Sequence, residues 1–469
     1  MTDLMRPEAE IAATQPVEEP ERLATSVIWL YCLPTMGIGV TGLLFSMYLM
    51  KYSTDVLLIA PATMGVIFGV SRFWDAVSDP MVGYMSDLTR SSMGRRRVWM
   101  LASALPVGIG IFGLWSPPES LGPVAIVVWM VVALLLYETA STAFFVPHGA
   151  LGVELTPNYH ERTRLFGYRH LLTAFGLIAG LGVFQWVSSA EDIRTAAFWM
   201  SIICGGGVAG LIFYSSLRLR ERPDYQGRGG TAFKATFTDV VRNPHARVLL
   251  FVYGIETFGV ASIAMLVPYV TEYGFGAKEI TVPLIASYFV PQFALTPMWI
   301  ALSRRFGKKP LWLGAMIVTM LAFAGFFFLP DRVTVWLFLL AGLLGFAGGC
   351  GAVVAPSINA DIVDWDEMQT GERKEGAYLA LWNFVRKAAG GLTAVLTGFA
   401  LSLANFEPNV EQTDEVKLVI RVLFSIVPAT CYLIGAIVFA RFAFNEKEHA
   451  EVRRLLDERE ARNDRDLSS

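Results

Sequence analysis

Charged residues are scarce in this chain: Asp, Glu, Lys and Arg make up only 17% of its 469 residues, against about a quarter in an ordinary soluble domain. With 54% hydrophobic residues and a mean hydropathy of +0.48, that scarcity excludes a water-soluble globular fold and points to a membrane protein. Cysteine is sparse too. Cys32, Cys204, Cys350 and Cys431 each stand singly in an apolar stretch, which excludes metal or redox spacing and leaves four core residues. There is no nucleophile elbow, metal-ligand pair, Walker loop or dinucleotide fingerprint at a credible place, so a membrane-embedded enzyme is a remote alternative. Residues 1–24 lack the basic start and short apolar core of a cleaved leader, and the first apolar stretch is expected to act as an uncleaved insertion signal.

What is present is a series of apolar stretches, each close to the roughly 20 residues that cross a bilayer core. Twelve are expected, over 25–50, 57–86, 98–116, 121–154, 163–188, 195–217, 246–272, 280–303, 309–329, 333–360, 376–404 and 417–443. Basic residues collect in every second loop: Arg90, Arg95, Arg96 and Arg97; Arg162 and Arg164; Arg218, Arg220 and Arg222; Arg304, Arg305, Lys308 and Lys309. The intervening loops hold isolated cases such as Lys51, Arg194 and Lys278. By the positive-inside rule both termini are cytoplasmic.

The chain is also internally repetitive. Gly94-Arg95-Arg96-Arg97-Val98-Trp99 after the second stretch reads on one plan with Gly307-Lys308-Lys309-Pro310-Leu311-Trp312 after the eighth. A similar offset carries Glu161-Arg162 onto Glu372-Arg373, and Pro147 roughly onto Pro356. The expected organisation is a cytoplasmic tail over 1–24, six-helix halves over 25–217 and 246–443, a cytoplasmic loop over 218–245 and a second tail over 444–469. Such repeats place a solute site at the membrane midplane.

Ionisable residues inside the stretches cost about 2.5–3.5 kcal/mol each on insertion scales and ask for a partner or a purpose. Arg72, Asp75 and Asp79 follow i, i+3, i+7 spacing on one helix face. Two carboxylates that close repel unless a cation or a proton lies between them, or unless one merely pairs with Arg72. Ser78 and Thr142 can complete a sodium shell, carboxylate and hydroxyl oxygens being hard ligands. Glu138 lies one turn from Thr142, Arg169 in the fifth stretch, Glu256 in the seventh, and Arg386 with Lys387 in the eleventh. Together they read as a polar lining for a central cavity, with Arg169 suited to a bidentate contact. Tyr378, Trp382 and Asn383 stand near these charges, the aromatics fitting either a pyranose face or a membrane interface. His148 and His170 read more simply as hydrogen-bonded structural residues. Arg90 and Arg162 in the first half, and Asp361, Asp364 and Arg373 in the second, read as ion pairs that close the inner mouth, or as solvated surface.

The run Arg72-Phe73-Trp74-Asp75-Ala76-Val77-Ser78-Asp79-Pro80-Met81-Val82-Gly83, with Thr89-Arg90-Ser91 and Gly94 after it, resembles the glycoside-pentoside-hexuronide:cation symporters, the melibiose permease family of the major facilitator fold. Thr54-Asp55-Val56, Glu161-Arg162-Thr163-Arg164 and Ala360-Asp361-Ile362-Val363-Asp364 resemble it too, and the anchors span about residues 30 to 440. The resemblance implies an all-α polytopic fold of two six-helix halves. It implies that Asp75, Asp79 and Thr142 hold sodium, lithium or a proton, and that Arg169 and Lys387 tie substrate and cation regions together. The positions of the family's sugar-binding acids on helices one and four fall on Gly39 and Phe145, and those of two tryptophans on Gly149 and near Ala352. These departures weigh against melibiose itself. Glu138 can supply a displaced carboxylate, and Gly149, Gly348, Gly349 and Gly351 can widen the pocket.

The resulting expectation is a monomeric secondary transporter of the bacterial inner membrane, with no nucleic-acid partner and no cofactor beyond Na+ or H+ as coupling ion. It couples cation flow to movement of a glycoside or related sugar by alternating access. The alternative is a carrier of a lysolipid or other non-sugar organic solute, since the family resembles animal lysophospholipid carriers more distantly.

Overall fold

Proline, asparagine and aspartate mark where the helices begin. In the computed structural model, which describes residues 22–156, 158–222, 240–371, 374–444 and 446–468, α1 (Thr25–Met47) and the short α2 (Leu49–Asp55) form the first span. The spans α3 (Pro61–Leu88) and α5 (Pro123–Glu154) open on a proline, at the helix position that needs no N–H partner. Between them lies α4 (Arg97–Trp115), and α6 (Tyr159–Ser188) follows. Asp192 caps α7 (Ile193–Arg218), accepting hydrogen bonds from the backbone of Arg194 and Thr195. The Thr195 hydroxyl and these N–H groups hold the Asp192 carboxyl below its ordinary range.

In the second half α8 (Pro244–Tyr269) is capped by Asn243 and passes, beyond Pro268, into a π turn over Val270–Gly274. The missing proline N–H is the physical reason for such a local widening. The eighth span is broken. α9 (Thr281–Ala294), with Pro291 inside it, meets α10 (Thr296–Phe306) at an angle of 49°. There follow α11 (Lys308–Phe327), α12 (Val335–Thr370), α13 (Glu375–Leu403), α14 (Asp414–Phe424) with α15 (Ile426–Ala440), and a terminal helix α16 (Glu446–Ser468).

Ten helices of the described residues are long and apolar enough to cross a membrane, and the bent α9–α10 pair makes an eleventh. The twelfth span is α3, 28 residues long, which Arg72, Asp75, Asp79 and Asp87 keep from reading as apolar. The expected all-α, twelve-helix major facilitator fold is the one observed. The tenth span exceeds the 333–360 expected from sequence. Beyond residue 360 it turns acidic, and it stops at Gly371, whose φ of 75° ends the helix in the left-handed region.

Within the first group of helices, α1 packs on α6 and α7, α4 on α5 and α7, and α3 on α5. Within the second, α12 packs on α9 and α11, and α15 on α8 and α11. The groups meet where α3 crosses α13 and where α1 and α2 approach α8. The α3–α13 crossing lies at the face opposite the chain termini and depends on glycine. A Cβ on Gly398 would fall 2.3 Å from the Pro61 carbonyl, and one on Gly65 2.6 Å from that of Ala394. The Ala62 N–H donates to Ser402 Oγ at 2.9 Å beside them. Gly398→Val is therefore expected to cost about 1–3 kcal/mol by overpacking, read as a lower melting temperature, while Gly314→Ala, which meets open space, leaves it unchanged.

The duplicated loops have matching uses. Gly94 (φ 109°) and Gly307 (φ 80°) both turn the chain into the next helix. Arg97 then donates to the last carbonyls around α7, Ser216 and Leu217, at 2.9 Å, and Lys309 donates to Ala440 and Phe442 at the end of α15. In each half a cation thus satisfies carbonyls that the sixth helix leaves open.

Candidate cation and substrate site

Where α3, α5 and α13 meet, five charges form one continuous chain. Arg72 bridges Glu138 (2.8 Å) and Asp75 (3.1 Å). Lys387 of α13 places its Nζ 3.3 Å from Asp75 and 2.6 Å from Asp79. Thr142 of α5 donates to the other oxygen of Asp79 at 2.8 Å. The α3 spacing read from the sequence sets this up, and the second half supplies the ammonium. The Asp75 side chain is fully buried, and both its Oδ1 and the hydroxyl of Ser78 are buried without a hydrogen-bond partner among the described residues. Two buried oxygens one helical turn apart, beside a threonine hydroxyl, are ligands of the hard type that would suit Na+, and the same carboxylates could take a proton.

The α5 face that carries Glu138 and Thr142 continues through Phe145, 40% exposed, to Gly149, whose Cβ would meet nothing within 4 Å. Asn383, exposed, lies one turn before Lys387 on α13. These residues border the acids. Others of the expected set lie elsewhere. Arg169 is held by α1 and α6, with its guanidinium 3.5 Å from the Tyr31 hydroxyl and 5.6 Å from the Phe166 ring centre. Tyr378 is only 2% exposed, and its hydroxyl accepts from Asn243, the cap of α8, at 2.7 Å. Trp382 stacks on Tyr253 at 4.0 Å and, with Arg386 and Glu256, lines a separate cavity inside the second half. His148 stacks on Tyr31 and bonds to its carbonyl, the structural role expected of it. Gly39 lies in the α1–α6 crossing, where a Cβ would fall 2.6 Å from the Thr173 carbonyl.

The residues read as an inner gate keep to their own halves in the contacts described. Arg90 is exposed, and Arg162 donates to the Thr156 carbonyl at 3.2 Å. Asp361 pairs with Lys308 at 2.6 Å, and Asp364 with His449 of α16 at 3.1 Å. Arg373 lies outside the described residues, as does Glu372. The opposite face, by contrast, is tied across the halves by a cluster that the sequence reading passed over. Lys51 pairs with Asp55 and, at 3.0 Å, with Glu272. Tyr273 donates to Asp55 at 2.6 Å, Asn409 donates to the Asp55 carbonyl at 2.7 Å, and Thr54 bonds to Tyr269 at 2.7 Å. The signal in the sequence was slight: a lysine with an aspartate four residues on, in a loop otherwise poor in basic residues.

Two packed helix groups joined at one face, with ion-paired charges at their seam, define a secondary transporter of the major facilitator fold. A solved structure of nucleoside transporter NupG shares that fold, with a TM-score of 0.64 and 13% identity, covering 89% of this chain and 99% of that one. The MFS/sugar transport protein family matches residues 30–446, and the chain belongs to it. Among its relatives, the inner membrane symporter YicJ of Escherichia coli is 26% identical over 420 residues, 87% of this chain and 90% of that protein. The sodium-dependent lysophosphatidylcholine symporter 1-A of Danio rerio is 24% identical over 496 residues, 93% of this chain and 90% of that protein.

Proposed function

We propose that this protein is a cation-coupled symporter of a glycoside or related sugar, working by alternating access in the bacterial inner membrane with both termini cytoplasmic. The observation that carries the reading is the charge of the seam. Among the described residues, Asp75, Asp79 and Glu138 pair only with Arg72 and Lys387, so one negative charge is left over at a depth where it is costly. A bound Na+ or H+ cancels it. In this arrangement Asp75, Asp79, Ser78 and Thr142 hold the ion, and Lys387 gives way or shifts when the ion enters. Because Lys387 belongs to α13 and the acids to α3, the occupied and empty sites favour different relations of the two halves. Solute binding that favours one relation of the halves then raises cation affinity, and the cation raises solute affinity by the same factor. Closed opposite the termini, the molecule is in its inward-facing form, and Arg90, Arg162, Asp361, Asp364 and Arg373 supply the pairs that close the other mouth.

The test is melting of the purified protein against glycosides, uronates and lysolipids, with and without sodium. A ligand at a hundredfold excess over its Kd adds about 2.7 kcal/mol of stability. The expected result is a glycoside that stabilises only in sodium, or only at low pH if the proton is the coupling ion, with the dependence lost in Asp79→Asn. Stabilisation by a lysolipid alone would favour the second reading, a carrier of amphiphiles. That reading has support in the lysophosphatidylcholine symporters among the relatives and in Phe145 standing where the family's sugar binders carry an acid.

A further inference from the structure

Two adjoining cavities in the second half have different linings. The larger, about 330 Å³, is walled by rings, among them the Tyr253–Trp382 stack and Trp312. Gly348, Gly351 and Ala352 of α12 leave its other side open. Glu256 lines it, 8% exposed. Trp312 is its hydrogen-bonding neighbour, and Arg386 lines the same cavity without an ion pair to it among the described residues. A buried carboxyl group that faces a cavity and has no ion-pair partner among the described residues is a hydrogen-bonding group open to hydroxyls. The smaller cavity, about 180 Å³, is lined by apolar side chains, including Phe326 and Phe424, with Met47 of the first half among them. The two share Val260, Ile263, Tyr288, Gln292 and Leu344, and at this junction the Gln292 Oε1 is buried without a partner.

We infer that the two chambers form the substrate subsite and that the substrate is an aryl glycoside, its sugar hydroxyls on Glu256 and Gln292 and its aromatic aglycone in the apolar chamber. The inference deepens the symport reading and rests on it. Size chooses the occupant. An apolar cavity of about 150 Å³ holds one benzene ring, so 180 Å³ has room for a single aromatic ring. The polar chamber, just above the lower bound of about 300 Å³ for small-molecule pockets, suits one sugar ring, its apolar face against Trp382 or Trp312. Because Met47 touches the aglycone chamber and α13 carries both Trp382 and Lys387, occupancy is felt by both halves and by the acid seam.

The test compares phenyl and methyl β-glycosides of glucose, galactose and xylose, titrated in sodium onto the full-length protein and followed by tryptophan fluorescence and melting. Burial of one ring is expected to make the best phenyl glycoside about 10- to 100-fold tighter than its methyl counterpart. Ala264→Phe, which fills the apolar chamber, abolishes that advantage without changing methyl glycoside affinity, and Ala341→Leu on the facing wall does the same. Glu256→Gln weakens both ligands about tenfold or more. Melting of each variant without ligand confirms that it folds. Equal affinity for phenyl and methyl glycosides, or a phenyl advantage that survives both filling variants, would overturn the subsite while sodium dependence at Asp79 keeps the symport reading intact. No sodium-dependent binding of any glycoside would overturn both.

Discussion

Lys387→Met is expected to lower the melting temperature more than any other substitution at the seam, and sodium is expected to restore most of the loss. Its ammonium is the partner shared by Asp75 and Asp79. Without it Asp75, fully buried, keeps only Arg72, which is already divided with Glu138, and Asp79 keeps only a threonine hydroxyl. Removing one member of a buried ion pair costs about 3–5 kcal/mol, because the charge left behind has lost its solvent and its partner together. The local charge moves from one excess negative to two, so the vacated position attracts a small cation more strongly than in the parent protein.

The measurement is a melting series in sodium-free, sodium-containing and acidic buffer. Rescue by sodium at neutral pH names sodium as the coupling ion, and rescue by acid alone names the proton. The double variant Asp79→Asn with Lys387→Met removes a charge of each sign, and its stability should depend less on sodium than that of the single variant. This non-additivity is the signature of direct coupling. A Lys387→Met protein that melts like the parent in sodium-free buffer would show that the ammonium does not hold the acids, and the ion-exchange step would have to be abandoned.

How much of this was legible beforehand divides along physical lines. Span number, the two-half plan and the helical face of Arg72, Asp75 and Asp79 all follow from local regularities: apolar run length, a repeated loop and a period of 3.6. Thr142 was legible as a hydroxyl one turn from Glu138. The partner choices were not. Sequence put Arg169, Glu256, Arg386 and Lys387 into one central lining, whereas the fold sends Lys387 to the acids, Arg386 and Glu256 to the inner cavity of the second half, and Arg169 to Tyr31. Neighbouring residues on a helix point about 100° apart, so Arg386 and Lys387 serve different surfaces, and the local pattern does not say which surface meets which helix. Tyr378 shows the same limit: its aromatic ring suggested a sugar platform, but a hydrogen bond to the cap of α8 takes its hydroxyl. The repeat was legible for a different reason. Gly94 and Gly307 occupy backbone conformations that favour glycine, and the cations after them serve the same carbonyls in each half.

The second large effect is expected at Lys51. Lys51→Met should move the protein from a form closed at the face opposite the termini toward one open there. The lysine ties Asp55 of the first half to Glu272 of the second and lies 4.4 Å from the ring centre of Tyr273, with the Tyr273–Asp55 and Asn409–Asp55 bonds alongside. The contacts to Glu272, Tyr273 and Asn409 cross the halves and exist only while that face is closed. Losing hydrogen bonds to a charged group removes about 1.5–3 kcal/mol from the closed form alone, a population shift of roughly 10- to 150-fold. Spin labels at Leu58 and Val410, both exposed beside the cluster, read the change as a longer distance that becomes prominent in Lys51→Met and grows further in Lys51→Met with Asn409→Ala. The α3–α13 crossing, untouched by either substitution, should keep both variants folded. A distance distribution unchanged from the parent would mean that the glycine crossing alone keeps the face shut, and that the charged cluster only decorates a closure set by helix packing.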